Sequence, residues 1–238
     1  MNSVTALVLA NLAVALGATV QTATGLGFAM VAAPLLALIS LQLVPGPMLL
    51  INLILSLLML GTERSSINRS ELSILFPTIA AGTLIAAAIL TSISTELFGV
   101  VFALLILISV VASLFTKPIS LSSANLAAGG FLAGLMGTIS GLSGPPMAVL
   151  YQHEDLQKTR PTLAVVFSFS YASSLIALTV TGQFDAELAL DGLKLLPGLL
   201  LGYLLATKYR GLVSQTTGRV MMLSIAAFGS FILLLKWL

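Results

Sequence analysis

The first charged side chain in this sequence is Glu63. Later stretches repeat the pattern: Leu72 to Thr95, Leu97 to Thr116, Ile119 to Gln152, Pro161 to Phe184, Leu195 to Thr207 and Val220 to Leu235 carry no ionised group. A helix that crosses a bilayer needs roughly 20 mainly apolar residues, and most of these runs are of that order. They are hydrophobic all round, as suits helices that face lipid on one side and other helices on the other. Of the 238 residues, 58% are hydrophobic and 8% charged, whereas a soluble domain carries about 25% charged residues. The expected fold is therefore all-α, a polytopic transmembrane bundle of about eight to ten segments with no soluble domain.

Composition excludes several kinds of chemistry. The chain has no Cys and a single His, so disulfides, iron–sulfur clusters and thiolate zinc sites are ruled out, and no cofactor or metal is expected. The formal charge is +2 with no run of basic residues, which leaves no footprint for nucleic acid. The opening stretch from Val4 to Val20 lacks a basic n-region and is expected to be retained. The lipid bilayer is the one certain partner, and a homodimer is left open.

The two halves resemble each other. Thr22, Thr24, Gly25 and Leu26 recur as Thr138, Ser140, Gly141 and Leu142, and Pro45 as Pro161, at an offset of 116. Pro77, Gly82 and Ser94 recur as Pro197, Gly202 and Ser214 at an offset of 120. Two repeats are expected, at 1–116 and 117–238. Each opens with a pair of short apolar stretches around a Gly break, and three further spans follow. If each pair enters and leaves on one face, Arg64, Arg69, Lys117, Lys158, Arg160, Lys208, Arg210 and Arg219 gather on one side against Lys194 and Lys236. Counting each pair as one crossing divides the basic residues evenly and gives no orientation. Since cytoplasmic loops carry the Lys and Arg excess, the first topology is preferred. It makes the repeats inverted, with both termini outside, an arrangement that places substrate near the midplane where broken helices meet.

The breaks carry the candidate chemistry. Gln21-Thr22-Ala23-Thr24-Gly25-Leu26-Gly27 and Gly137-Thr138-Ile139-Ser140-Gly141-Leu142-Ser143-Gly144-Pro145-Pro146 are the densest polar and Gly positions within apolar sequence. Glycine lets the backbone leave helical geometry, and Pro145 and Pro146 suit the first turn of a new helix. A helix beginning inside a membrane offers unpaired N–H groups and partial positive charge, and hydroxyls add donors. Thr22, Thr24, Gly25, Gly27, Thr138, Ser140, Gly141, Ser143 and Gly144 are thus the candidate residues for a small anionic substrate, with no lysine required. Gln21 and Asn52 stand second, and Asn52 with its counterpart Ser168, and Ser170 and Tyr171, could line the same cavity. Gly129, Gly130 and Gly134 are read as packing contacts between helices.

These features resemble the TauE/SafE family of sulfite-exporter-like permeases over nearly the whole chain. The family's Gly-rich motifs fall on Gly25 and Gly27, and on Gly141, Ser143, Gly144 and Pro145. This chain differs in carrying Leu26 and Leu142 within the breaks. The resemblance implies a multi-pass permease of a bacterial inner membrane that moves sulfite, an organosulfonate or another organic acid, mostly outward, and no enzyme activity.

Two other classes remain as alternatives. Gly141-Leu142-Ser143-Gly144 has the look of an intramembrane serine protease nucleophile, with His153 as the sole imidazole, although the pair lies along one segment where a base is usually supplied by another helix. A non-transporting scaffold would use the breaks only for packing. No carboxylate lies deep in an apolar run, so a buried proton relay is not read.

Overall fold

Polar punctuation sets the helix boundaries. Asn68 caps one helix by accepting from the Ser70 and Glu71 amides, while its Nδ2 donates to Glu71 Oε1 at 2.6 Å. Ser122 accepts from the Asn125 amide, and Asp185 from that of Leu188. Each satisfies amides that the first turn leaves without partners. The computed structural model describes residues 3–62, 67–115, 119–151, 154, 156–208 and 215–237. They form α1 (Ser3–Thr24), α2 (Phe28–Ile39), α3 (Gly46–Thr62), α4 (Arg69–Leu90), α5 (Thr95–Phe115), α6 (Ser123–Ser140), α7 (Gly144–Leu150), α8 (Leu156–Val180), α9 (Ala186–Leu193), α10 (Leu196–Lys208) and α11 (Gln215–Trp237), with a 3-10 turn at Leu41–Leu43. No strand occurs among the described residues.

Among the described residues, seven helical segments are long and apolar enough to cross a membrane: α1, α3 with its preceding turn, α4, α5, α8, α9 with α10, and α11. The 18-residue α6 carries four glycines and Asn125 and lies alongside α4. At 12 and 7 residues, α2 and α7 are too short to span. Leu84, Ile108, Val180 and Phe228 are among the large apolar side chains left exposed around the outside, as a lipid-facing surface requires.

Close backbone approach orders the bundle. Cβ atoms added at Gly198 and Gly202 of α10 would collide with the Asn11 and Ala15 carbonyls of α1, so the two helices run parallel. Gly82 of α4 meets Phe131 of α6 in the same way, and Gly130 and Gly134 of α6 press on Thr78 and Ile79 of α4. The packing role expected of Gly130 and Gly134 is what they have, and Gly129 packs on Leu150 and Met147 of α7.

At one end of the bundle Asn68 N donates to Thr162 Oγ1 at 3.0 Å, and Tyr151 OH to Glu71 Oε2 at 2.6 Å. At the other end Asn11 Nδ2 donates to Lys194 O at 3.1 Å, and Gly46 packs on Phe184 and Gly99 on Trp237. The first end holds Arg69, Arg160 and Lys208, and the second Lys194 and Lys236. Arg64, Lys117 and Arg210, and the side chains of Lys158 and Arg219, lie outside the described residues. Apolar packing forms two cores, one around Val14, Phe28, Phe102 and Ala226, the other around Leu75, Ile79, Met147 and Phe167. Met48, Ile51 and Leu55 of α3 join the first and Leu49 the second, so α3 lies between them.

Candidate functional site

Both expected breaks are present, and both are made by glycine. α1 ends where Gly25 N donates to Gln21 O at 2.7 Å, with φ of +91° at Gly25 and +105° at Gly27. α6 ends where Gly141 N donates to Gly137 O at 2.8 Å, with φ of +71° at Gly141. Left-handed backbone is costly for any residue with a Cβ. Pro145 and Pro146 then occupy the first turn of α7. The two breaks face each other: a Cβ on Gly144 would lie 3.9 Å from the Gly27 amide nitrogen.

Helix lengths set the depth of this junction. From it α2 runs about 18 Å toward the end holding Ser94 and Gln183, and α7 about 10 Å toward Tyr151 and Glu71. Together they place the junction between the two ends of the bundle. It sits nearer the end that carries Arg69 and Arg160.

Several buried polar atoms near the breaks have no hydrogen-bond partner. Gln21 Oε1 accepts from the Phe28 amide at 3.2 Å, but its Nε2 is unpartnered, as is Thr22 Oγ1. Both residues are 2% exposed. Asn52 is 0% exposed and neither its Oδ1 nor its Nδ2 has a partner. It lies one turn along α3 from Met48, whose Cε a Cβ on Gly141 would strike. Each unsatisfied group costs about 1–3 kcal/mol, so the fold retains polar capacity at the breaks at a price in stability. Thr83 of α4 and Trp237 of α11 hold further unpartnered atoms.

The remaining hydroxyls are engaged within the protein. Thr24 Oγ1 donates toward Val20 O (2.8 Å) and Leu26 O (2.6 Å), and Ser140 Oγ to Met136 O at 2.8 Å. Thr138 Oγ1 bonds Gly134 O and Ser174 Oγ, at 2.8 and 2.7 Å. Ser143 Oγ reaches Ala133 O at 3.1 Å and Ser170 Oγ at 2.8 Å. Ser168 donates to Ala164 O, and Tyr171 is buried in the core beside Phe167. Inside a helix surrounded by apolar matter, the carbonyl four residues back is the nearest acceptor, and Ser and Thr take it. Thr24, Thr138, Ser140 and Ser143 therefore shape the breaks, while Thr22, Gln21 and Asn52 keep open valences. Ser143 is wholly buried, and His153, the proposed base of the protease alternative, lies outside the described residues.

In the sequence Arg160 counts only among the basic residues that gather on one face and set the orientation. It lies in the first turns of α8, where Nη2 donates to Thr22 O at 2.8 Å and Ala23 O at 2.7 Å. Its Cγ would be 3.2 Å from a Cβ on Gly25. The signal in the sequence was an asymmetry: Arg160 precedes Pro161 where Val44 precedes Pro45.

Near that end, the bond from the buried Tyr151 to Glu71 ties α7 to α4. Burial, and then the bond to the Glu71 carboxylate, push the Tyr151 phenol above its ordinary range. The native state thus holds this proton more tightly than the unfolded chain. Its contribution is fully present below the ordinary phenol value of 10.0 and is lost as pH rises beyond it. Tyr151→Phe is expected to lower stability by about 1–2 kcal/mol at neutral pH. Thermal unfolding in detergent from pH 9 upward should fall more steeply for the wild type than for the variant. At the opposite end a pocket of about 250 Å³ opens between Gln42, Pro45, Ser94, Phe98 and Gln183.

No curated protein and no solved structure matches the chain. The family model described as sulfite exporter TauE/SafE matches residues 10–233, which takes in both breaks and all but the outermost residues of α1 and α11. The chain therefore belongs to the TauE/SafE sulfite exporter family, and is a membrane transporter of the anion-exporter type.

Proposed function

We propose that the chain exports a small oxyanion, sulfite or a related organosulfonate or organic acid, across a bacterial inner membrane, by alternating access at the junction of the two breaks. The observation that carries this reading is Asn52, wholly buried with both amide atoms unpartnered. Gln21 Nε2, Thr22 Oγ1 and the backbone amides of Gly27 and Gly144 complete the donor set. Thr24, Thr138, Ser140 and Ser143 hold the breaks in shape. An anion gains charge-assisted hydrogen bonds from such donors, each weak enough for release.

The same reading makes residues 1–116 and 117–238 two inverted repeats that rock against each other. Two packing contacts support it: Gly82 on Phe131, and Gly202 on Ala15. The second pair is the first with the halves exchanged, at the same offsets of 120 and 116 that align the sequences.

The test is uptake and efflux of labelled sulfite and sulfoacetate in proteoliposomes with Gly25→Val and Gly141→Val. Left-handed backbone costs a branched residue about 1–2 kcal/mol, so each variant should lose roughly tenfold or more in transport. Gly182→Val, at φ +73° with open space around it, should transport normally. Activity indifferent to both break substitutions would remove the proposed site.

A further inference from the structure

A broken helix alone is a poor anion site. The last carbonyls of α1 carry about half a negative charge and the first amides of α2 about half a positive charge, and at Gly25–Gly27 these ends lie side by side. Their fields largely cancel. What changes the balance is Arg160, which enters from α8 and donates to two of those terminal carbonyls, Thr22 O and Ala23 O. The guanidinium offsets the negative helix end, so the positive end of α2 is no longer cancelled there. The open donors lie at the same place: Thr22 Oγ1 belongs to a residue whose carbonyl Arg160 bonds, and Gln21 Nε2 is one residue earlier. The second break has no counterpart, since the residue 116 positions before Arg160 is Val44.

We infer that Arg160 is the charge-selecting residue of this transporter, a positioning residue that turns the first break into an anion site and makes the two breaks unequal. The inference rests on the transport reading above. Arg160 raises affinity for negative charge through the field at the end of α1, with no covalent step, and the anion leans toward Gln21 and Thr22 while the second break supplies shape.

The chain has no cysteine, so Arg160→Cys provides a single chemical handle. Purified R160C would be alkylated with 2-bromoethylamine, which restores a cation, or with iodoacetamide, which does not. Binding of sulfite, a dianion at pH 9, and of methanesulfonate, a monoanion of similar size, would be measured by the ligand-induced shift in Tm. Loss of a charge-assisted contact corresponds to roughly 10- to 100-fold in affinity. R160C should therefore bind sulfite that much more weakly, with a smaller loss for methanesulfonate. The aminoethylated protein should recover the preference for the dianion, and the amide-alkylated protein should not. R160K, which keeps the charge, should retain that preference and provides the comparison if R160C does not fold. Equal loss for both anions, equal rescue by both reagents, or R160K without the preference would overturn the inference and leave a cap on α1. Wild-type protein that neither binds nor transports either anion would instead defeat the functional reading.

Discussion

Asn52→Leu is expected to lower transport severely while leaving the protein as stable as the wild type or more so. The two side chains are close in volume, and the site is completely enclosed. In the wild type both amide atoms lack partners, a penalty of about 1–3 kcal/mol for each group that leucine removes. A residue retained only for packing would behave in the opposite way, since loss of a fitted side chain creates a cavity or strain. Transport should fall by roughly 10- to 100-fold, the value of hydrogen bonds to a charged ligand. Asn52→Asp should be as inactive, because a carboxylate there repels the anion. Proteoliposome flux and thermal unfolding on the same preparations would separate the effects. A leucine variant that transports normally, or that is destabilised and inactive together, would remove Asn52 from the site.

The second large effect belongs to the helix contacts. Gly82→Val and Gly202→Val should prevent recovery of a folded monomer, or lower its Tm further than any other substitution named here. In lipid no hydrophobic force drives helices together, so association depends on close van der Waals approach of small residues. A Cβ at Gly82 would strike the Phe131 carbonyl, and one at Gly202 that of Ala15. Backbone cannot rotate away as a side chain can, so whole helices must separate. Overpacking in cores commonly costs 1–3 kcal/mol, and both pairs should reach about the upper end. Gly61→Val, with nothing within 4 Å, is the matched control. Size-exclusion profiles and Tm in detergent decide it.

Much of this arrangement was legible in the sequence because it depends on backbone chemistry. Gly25, Gly27 and Gly141 are the residues that accept left-handed φ, and Pro145 with Pro146 marks the start of a helix, so the breaks announce themselves in one dimension. The apolar runs did the same for the spans. Hydroxyl engagement was less visible. Thr22 and Thr24 read alike as text, yet Thr24 is tied to Val20 O and Leu26 O while Thr22 is not, a distinction set by side-chain direction at the helix end. Arg160 was least legible. A basic residue beside Pro161 has the appearance of a loop charge, and only the packing that carries α8 to the end of α1 turns it inward. Asn52 looked secondary for a related reason: its weight comes from complete burial without a partner, which is a property of neighbours.

The central claim is that an anion sits where the two breaks meet. Selenite, the heavier relative of sulfite, scatters anomalously and would locate the ligand directly in crystals of the purified protein. The account predicts one strong anomalous peak at the junction of Gly27 and Gly144, on the side of Gln21 and Thr22, that sulfite displaces. A sulfite-displaceable peak elsewhere in the bundle, with nothing at that junction, would contradict it.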